Sequence, residues 1–442
     1  MTTSLSERYY GLLSGAASKK SGWNLGGQAP GAEQEGLSTK IVDLILEQAV
    51  IEGASDIHIE PMEEGQKVRV RYRIDGVLYE KLAIENQPHL SIIPRVKIMA
   101  SLETDARLIR KPQDGRFSLQ IGNDTVDFRI STFPTVLGEK VAVRILYKDT
   151  GLFKLDRIGL DAFDLSRLIR LLQYRYGLFL ISGPTGSGKT TTLYAILNQL
   201  NSPGHNILTL EDPVEYQVNG MNQCDIRKKM DFNFADGLKA ALRQDPDVIL
   251  VGEIRDTETA EITLRASLTG HLVFSTVHTG SAIGTIIRLV NMGLEPYLVS
   301  YALIAAISQR LVRKICDHCK ESYTMTQEEL NRVKMHYKIQ AQLQKTKEEN
   351  LYNLDQAAKM TFYRGKGCAQ CNNTGFKGRI GLFEVVSFND ELRDAIIKGV
   401  PSSTLREITV KAGTKLLIMD GLEKAKNGVT TLDEVFSVAF ER

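Results

Sequence analysis

The sequence predicts an α/β protein built around a doubly wound parallel sheet. Residues 207–210, 248–251 and 272–277 are nearly continuous apolar runs, as expected for parallel strands buried on both faces. Helical patterns alternate with them. A glycine-rich loop, residues 183–190, lies between another apolar run, residues 178–181, and an amphipathic helical pattern. Strand and helix in alternation therefore define the centre of the chain.

The glycine-rich loop reads G-P-T-G-S-G-K-T, which matches the phosphate-loop pattern G-x-x-x-x-G-K-[ST] at every fixed position. The pattern predicts that main-chain N–H groups and the helix N-terminus surround a phosphate chain. Lys189 is expected to reach the β- and γ-phosphates of ATP, and the Thr190 hydroxyl to ligate Mg²⁺. Further contacts are expected from Gly183, Pro184, Thr185, Gly186, Ser187, Gly188 and Thr191.

Composition narrows the class of protein. The 442 residues predict about two to four domains. The net charge of +2, from 55 basic and 53 acidic residues, is too small to hold nucleic acid nonspecifically. Residues 297–307 are too short an apolar stretch to span a bilayer, and residues 1–15 lack the pattern of a signal peptide. We therefore expect a cytosolic compartment, where cysteines hold metal more often than they form disulfides.

The N-terminal third predicts two regions. Residues 1–36 are weakly patterned and rich in glycine near their end, which indicates a flexible leader and linker. Residues 37–150 predict an α+β domain. Its expected elements are a helix near residues 41–49, a hairpin over residues 68–79 that turns at Asp75-Gly76, and strands at residues 126–130 and 141–146.

The rest of the chain predicts three regions. Residues 151–315 form the α/β nucleotidase core, and residues 316–385 a cysteine-bearing subdomain. A polar stretch between residues 324 and 360 interrupts that subdomain and is predicted to be helical and solvent-facing. Residues 386–442 are predicted to be helical, with a capping box at Thr431 and Glu434.

Phosphoryl transfer needs a held Mg²⁺, an oriented water and neutralised charge, and ligands bind at the carboxyl ends of parallel strands. Glu253 follows one such strand and is predicted to hold Mg²⁺, whereas Asp247 comes too early. Glu211 follows another strand and is the candidate for polarising the attacking water. The alternative is that Glu211 and Asp212 cap a turn.

Histidines and arginines complete the candidate site. His278 could sense the γ-phosphate, with His271 in support, although a lone histidine is more often structural. Arg116 and Arg129 of the N-terminal domain could neutralise charge. A further set of arginines on one strand face is interpreted as a solvated or inter-subunit surface: Arg69, Arg71 and Arg73.

The cysteines predict a metal site. Cys316-x-x-Cys319 and Cys368-x-x-Cys371 supply four thiolates, the ligand set of a structural Zn²⁺ without an open position. Reactive or redox thiols are the alternative. The fifth cysteine, Cys224, is interpreted as a free thiol outside the metal site.

Taken in order, the motifs resemble those of the type II secretion and type IV pilus assembly ATPases, known as GspE and PilB. The resemblance covers residues 38–442. It rests on residues 54–61 (ASDIHIEP), 73–76 (RIDG), 112–116 (PQDGR), the phosphate loop, 210–216 (LEDPVEY), 242–256 (LRQDPDVILVGEIRD), 269–279 (TGHLVFSTVHT) and 367–379 (GCAQCNNTGFKGR).

The resemblance implies a RecA-like core, a PAS-like N-terminal domain and a hexameric ring at the cytoplasmic face of the inner membrane. ATP would lie between the core of a protomer and its N-terminal domain. Its hydrolysis would act on a membrane platform protein that adds pilin or pseudopilin subunits. Glu211 matches the family's catalytic glutamate and Glu253 the Mg²⁺-linked one. The remaining matches are two family histidines, His271 and His278, and two arginines thought to approach the phosphates, Arg116 and Arg129.

Two features depart from the family pattern, namely the short region before the first shared motif and the long insert between the cysteine pairs. Two other functions stay open. One is a nucleic-acid-translocating ATPase, which would need a basic channel bearing aromatic residues. The other is a nucleotide-gated scaffold with little turnover.

Overall fold

The computed structural model describes residues 4–18, 30–62, 67–85, 89–105, 111–147, 153–226, 232–344 and 361–439. The chain divides into two compact units, Met1–Asp149 and Thr150–Arg442. This division lies next to the end of the N-terminal domain expected at residue 150. The boundaries expected after residues 315 and 385 fall inside the second unit, because strands on both sides of the cysteines join its central sheet.

The first unit is a layer of helices on an antiparallel sheet. Its described helices are α1 (Leu5–Ser18), α2 (Pro30–Ile51) and α3 (His89–Met99). Its described strands are β1 (Ala54–Pro61), β2 (Lys67–Ile74), β3 (Val77–Glu85), β4 (Gln113–Ile121), β5 (Asp124–Thr135) and β6 (Gly138–Leu146). Their order across the sheet is β3-β2-β1-β6-β5-β4.

Alternation along the strands gives this sheet an apolar face that packs against the helices. Val70 and Tyr72 of β2 are buried in one core with Ile41 and Ile45 of α2. The Tyr72 hydroxyl donates a hydrogen bond of 2.6 Å to the main-chain oxygen of Ile45. The predicted helix near residues 41–49 therefore covers the sheet with its apolar side.

The opposite face of the sheet is polar. Arg69 and Arg71 pair with Glu60, at 3.0 and 2.7 Å, and Arg73 lies 3.8 Å from Asp56. Burial raises the pKa of Glu60, but its hydrogen bonds to Arg71, a neighbouring lysine and Arg69 outweigh burial and lower this pKa to about 2. The three arginines share one face, as predicted, and their charges are compensated there.

The hairpin turn predicted at Asp75-Gly76 is confirmed. Both residues have positive φ, 50° and 88°, as a type I′ turn requires. Ile74 and Val77 are paired on either side of it.

The structure differs from the flexible leader expected over residues 1–36. Leu5–Ser18 form α1, and α2 begins at Pro30. Leu5 and Tyr9 are buried in the core of the first unit, and Leu12 packs against it. These positions repeat at i, i+4 and i+7, so a short amphipathic period was present in the sequence. Residues 1–3 and 19–29 lie outside the described residues.

The second unit contains the parallel sheet that the sequence predicts. Its described strands are β7 (Gly177–Ser182), β8 (Ile207–Glu211), β9 (Asn222–Asp225), β10 (Val248–Val251), β11 (Leu272–Val277), β12 (Leu303–Ile315), β13 (Lys320–Tyr323), β14 (Phe362–Gly365) and β15 (Phe376–Ser387). The order in the main sheet is β15-β12-β7-β11-β10-β8-β9. Its neighbours are parallel except β15, which pairs with β12 in antiparallel register. β13 and β14 pair separately.

Helices surround this sheet. Those before the cysteine region are α4 (Ala162–Leu171), α5 (Lys189–Leu200), α6 (Phe234–Ala241), α7 (Thr257–Leu268), α8 (Ala282–Asn291) and α9 (Pro296–Ala302). Those after its start are α10 (Gln327–Gln344), α11 (Asp390–Ile397), α12 (Ser402–Lys411), α13 (Leu417–Lys426) and α14 (Leu432–Val438). Among the described residues, no helix has the length and apolarity that crossing a membrane requires.

Alternate residues of β7 belong to two separate cores, which is why this strand reads as a continuous apolar run. Leu178 and Leu180 pack with residues of α7 and α8. Phe179 and Ile181 pack on the other face with residues of α4 and α5. Helices therefore bury both faces of the sheet, and the chain leaves β7 into the phosphate loop at the carboxyl edge.

The cysteine region and the C-terminus differ in detail from prediction. The polar insert is helical over α10, but Val333 of that helix is buried with residues of α13 and α14, so one side of it does not face solvent. Residues 345–360 lie outside the described part of the chain. At α14 the Thr431 hydroxyl accepts a hydrogen bond from the Glu434 N–H, whereas the Glu434 carboxylate binds Arg313. The predicted capping box is therefore half formed.

A buried ion pair in the first unit generates a stability prediction. Lys97 Nζ lies 2.8 Å from a carboxylate oxygen of Glu139, and both side chains are buried. We expect Lys97→Met to lower the free energy of unfolding of this unit by about 3–5 kcal/mol, because the Glu139 carboxylate would stay buried without its cation. Amide hydrogen exchange in β6 of the full chain measures the change.

Lys140→Met is the matched control. Lys140 is partly exposed, and Glu60, its partner, keeps two arginines. We expect a loss of less than about 1 kcal/mol. An equally small loss in Lys97→Met would show that the buried pair does not hold the unit together.

Candidate nucleotide and metal sites

The phosphate loop joins β7 to α5 and lies directly against β12. Gly183 and Gly188 have φ of 150° and 87°, in the region that favours glycine. A Cβ on Gly183 would lie 2.5 Å from the main-chain oxygen of Gln309, and one on Gly188 would lie 2.8 Å from the Gln309 side-chain amide nitrogen. The loop therefore needs glycine at both positions.

The N-terminus of α5 points its main-chain N–H groups into the loop. The cap residue is Gly188, which has no side chain to bond these N–H groups. Uncapped N–H groups and the helix dipole attract anions, so the loop can hold a phosphate chain. The other residues predicted to contact nucleotide lie here as well: Pro184, Thr185, Gly186 and Thr190 are exposed, Thr191 is partly buried and Ser187 is buried.

Lys189 lies across the loop. Its Nζ donates hydrogen bonds to the main-chain oxygens of Gly183, at 2.8 Å, and Pro184, at 3.1 Å. Burial lowers the pKa of Lys189; the carboxylate of Glu253 opposes this change and Arg310 adds to it. The ammonium group of Lys189 thus shares its surroundings with the carboxylate of Glu253.

Glu253 and His278 follow β10 and β11 at the carboxyl edge. His278 Nε2 lies 3.6 Å from Glu253 Oε2, and Arg255 forms an ion pair with the same carboxylate. Burial raises the pKa of Glu253, but Arg255, His278 and Lys189 together outweigh burial and place this pKa below its ordinary value. Glu253 is therefore an ionised carboxylate near the loop, the kind of ligand that Mg²⁺ prefers.

Glu211 ends β8 and is buried. Its Oε2 accepts a hydrogen bond of 2.6 Å from the Tyr194 hydroxyl, and its Oε1 accepts from Thr209 at 2.6 Å and from Gln223 at 3.2 Å. Burial raises the pKa of Glu211 above its ordinary value despite these three donors. The carboxylate is thus held in one orientation rather than exposed in a turn, and its raised pKa suits proton transfer.

The structure corrects the prediction for His271. This residue precedes β11, so it lies at the amino edge of the sheet, roughly 20 Å along the strand from His278. Its Nδ1 is 3.0 Å from the main-chain oxygen of Ala266 at the end of α7. His271 therefore stabilises a helix end and does not contact the loop. Asp247, at the same edge, accepts a hydrogen bond of 2.7 Å from the Asn206 N–H.

Arg116 and Arg129 lie in the first unit, on neighbouring strands of its sheet. Arg116 of β4 is paired in register with Arg129 of β5, which is paired in turn with Arg144 of β6. Like charges directly opposite one another destabilise a sheet. Arg144 pairs with Asp56 at 3.1 Å, whereas Arg116 and Arg129 lie opposite one another, an arrangement that favours a face that meets an anion.

The four predicted cysteine ligands come together. Their sulfur atoms all lie within 4.8 Å of one another, with 3.9 Å between Cys316 and Cys368 and 3.8 Å between Cys319 and Cys371. Four sulfurs at about 2.3 Å from a metal form a tetrahedron with edges of about 3.8 Å. The cluster thus has the dimensions of a zinc site.

Main-chain N–H groups support the cysteine cluster. Cys371 Sγ accepts hydrogen bonds from the N–H of Cys368, at 3.2 Å, and of Gly375, at 3.3 Å. Burial raises the pKa of Cys371, but these N–H groups and the neighbouring thiols outweigh it and lower this pKa to about 6. The remaining cysteine, Cys224, lies on β9.

Sequence reasoning missed two residues of β12 that border the loop. Gln309 accepts a hydrogen bond of 2.8 Å from the Thr192 hydroxyl and contacts both loop glycines. Arg310 donates a hydrogen bond of 2.8 Å to the main-chain oxygen of Gly280, and its charge helps to lower the pKa of Lys189. The sequence signal that could have identified them is that Gln309 and Arg310 form a polar pair inside a largely apolar strand.

Comparison with known proteins agrees with this geometry. The family model described as "Type II/IV secretion system protein" matches residues 31–437. The chain is 42% identical over 410 residues to the type II secretion system ATPase E of Vibrio cholerae, covering 93% of this chain and 77% of the relative. It is 43% identical over 397 residues to the type IV pilus assembly ATPase PilB of Myxococcus xanthus, covering 90% and 67%.

Among solved structures, the chain is similar to the pilus retraction motor PilT with bound ADP. The TM-score is 0.59 at 26% identity, covering 91% of this chain and 97% of PilT. The match spans both units. Given the family model, the identities and the phosphate loop, the chain belongs to the type II/IV secretion system protein family of P-loop ATPases.

Proposed function

We propose that this chain is the ATPase of a motor that powers assembly of a type IV pilus or a type II secretion pseudopilus. The observation that carries the proposal is the meeting of the phosphate loop, Lys189 and the Glu253–His278 pair at one edge of the parallel sheet. The similarity to a type II secretion ATPase of Vibrio cholerae and a pilus assembly ATPase of Myxococcus xanthus supports it.

The reaction is hydrolysis of ATP to ADP and phosphate. The loop N–H groups and Lys189 hold the β- and γ-phosphates. Glu211 accepts a proton from the attacking water, whose oxygen bonds to the γ-phosphorus as the bond to the β–γ bridging oxygen breaks. His278 donates a hydrogen bond to the γ-phosphate. Mg²⁺, for which Thr190 and Glu253 supply oxygen ligands, neutralises phosphate charge when bound.

Arg116 and Arg129 are proposed to neutralise the charge that develops on the γ-phosphate. The register that places Arg116 directly opposite Arg129 in the first unit supports this role. The working form is proposed to be a homo-hexamer, acting at the cytoplasmic face of the inner membrane through a membrane platform protein. The near-neutral net charge favours this partner over nucleic acid.

We propose Zn²⁺ as the occupant of the cysteine cluster. Four thiolates leave no open position, so the metal would be structural. It would join the end of β12 to the segment before β15, since Cys316 follows the first strand and Cys371 precedes the second.

Lys189→Ala should reduce ATP turnover by at least about 10²-fold, because it removes charge that stabilises the transition state. Glu253→Gln should do the same. Phosphate release by the pure full chain measures both. Lys239→Ala, which removes an exposed lysine paired with Glu258, should leave turnover unchanged. Full activity in either site variant would refute the assignment of these residues, whereas very low turnover in the unaltered chain would favour a nucleotide-gated scaffold.

Cys316→Ser should lower bound zinc well below one ion per chain, since three thiolates hold structural zinc poorly. Elemental analysis of the purified protein measures this. Cys224→Ser is the matched control and should keep its zinc, because Cys224 lies outside the cluster. Equal zinc in both variants would reject the four-thiolate site.

Arg116→Ala and Arg129→Ala should each lower kcat by about 10²-fold or more while ATP binding changes little, because arginines of this kind act on the transition state. Arg8→Ala is the control: Arg8 lies on α1 and pairs with Glu47. Turnover that survives loss of both arginines would remove the first unit from catalysis.

A further inference from the structure

The hydrogen bonds around Glu211 form a network that reaches two other elements. Tyr194 approaches from α5, the helix that begins in the phosphate loop, and Gln223 approaches from β9. Gln223 Nε2 lies 3.2 Å from the Tyr194 hydroxyl and 3.2 Å from Glu211 Oε1. Tyr194, Gln223 and Glu211 are therefore all hydrogen-bonded to one another.

Packing fixes the Tyr194 ring. Tyr194 is buried, stacked on Phe153 with 5.2 Å between ring centroids and in edge contact with Tyr216 at 5.8 Å. Burial raises the pKa of Tyr194, and the Glu211 charge adds to it, so the phenol stays protonated and donates. The position of its hydroxyl is set by the aromatic cluster rather than by solvent.

Gln223 is fixed as well. Its side-chain oxygen accepts a hydrogen bond of 2.7 Å from the Val218 N–H, which determines which end of the amide faces Glu211. Its nitrogen also donates to the main-chain oxygen of Tyr216 at 2.9 Å. The amide cannot rotate without losing both contacts.

The pattern of donors distinguishes the two carboxylate oxygens. Oε1 accepts from Thr209 and Gln223, whereas Oε2, within the described part of the chain, accepts from Tyr194 only. A carboxylate offers about four acceptor positions. Oε2 therefore keeps an acceptor position for a water proton.

We propose that Tyr194 and Gln223 are positioning residues that hold the Glu211 carboxylate in the orientation in which Oε2 accepts the proton of the attacking water. This inference rests on the proposed function, because it takes Glu211 as the proton acceptor. Tyr194 also connects Glu211, the proposed proton acceptor, to α5, the helix whose N-terminus is proposed to hold the phosphates. One helix would therefore position both the proton acceptor and the phosphates.

The experiment compares Tyr194→Phe with Tyr216→Phe in the full chain, following phosphate release from ATP across pH. Tyr216 is the matched control, since it belongs to the same aromatic cluster but gives this network only its main-chain oxygen. Tyr194→Phe should lower kcat by about tenfold with KM nearly unchanged, because only the chemical step loses its orientation. Tyr216→Phe should keep kcat near the original value.

The pH profile separates positioning from packing. The Tyr194 hydroxyl stabilises the ionised carboxylate, so its loss raises the pKa of Glu211 further. The reaction needs the ionised form, and the acid limb of kcat should therefore move to higher pH in Tyr194→Phe. Titratable groups around Glu211 are Tyr194 on α5, Asp225 on β9, and Asp212, Glu215 and Tyr216 after β8.

The outcomes distinguish two failures. An unmoved acid limb and undiminished kcat in Tyr194→Phe, with Glu211→Gln inactive, would overturn the positioning role while the proposed function stands. Undiminished turnover in Glu211→Gln would overturn the assignment of Glu211 itself. Gln223→Ala tests the same network from β9 and should show the same shift, which keeps the inference testable if Tyr194→Phe does not fold.

Discussion

The close contact between the phosphate loop and β12 is the constraint on which the candidate site depends. A Cβ on Gly183 would lie 2.5 Å from the main-chain oxygen of Gln309, so β12 leaves no room for a side chain at that position of the loop. β12 lies beside β7 in the order of the parallel sheet, and this order brings Gln309 next to the loop. Sheet topology thus determines where α5 begins, and with it where Lys189 and the uncapped N–H groups lie.

Two glutamates near this edge have opposite electrostatic environments, and the difference supports the different tasks proposed for them. Glu211 is buried among neutral donors, and burial raises its pKa. Glu253 lies beside Arg255, and the positive charges around it lower its pKa. A carboxylate of raised pKa suits proton transfer, whereas one of lowered pKa stays charged and suits a cation. We therefore propose two roles for the same residue type, each set by its surroundings.

The sequence predicts whatever depends on neighbours along the chain. Apolar runs locate the buried strands, and the capping pattern at Thr431 locates the start of α14, where the Thr431 hydroxyl accepts a hydrogen bond from the Glu434 N–H. Contacts between residues that are far apart in the sequence produce no pattern that the sequence alone reveals. The bond between Tyr194 and Glu211, the approach of Gln309 to the loop and the distance between His271 and the loop all depend on how strands are ordered in the sheet. Those features are therefore evident only in the three-dimensional structure.

The cysteine cluster has a mechanical consequence. Cys316 directly follows β12, the strand whose Gln309 shapes the phosphate loop, and the two residues are separated by roughly 20 Å of continuous strand. Between these two residues β12 is paired with β15, so a displacement at one end of the strand is coupled to the other end. A metal ion bound by the four sulfur atoms would therefore restrain the end of β12 that lies away from the phosphate loop. Loss of the metal would loosen this restraint and, with it, the position of Gln309 against the loop.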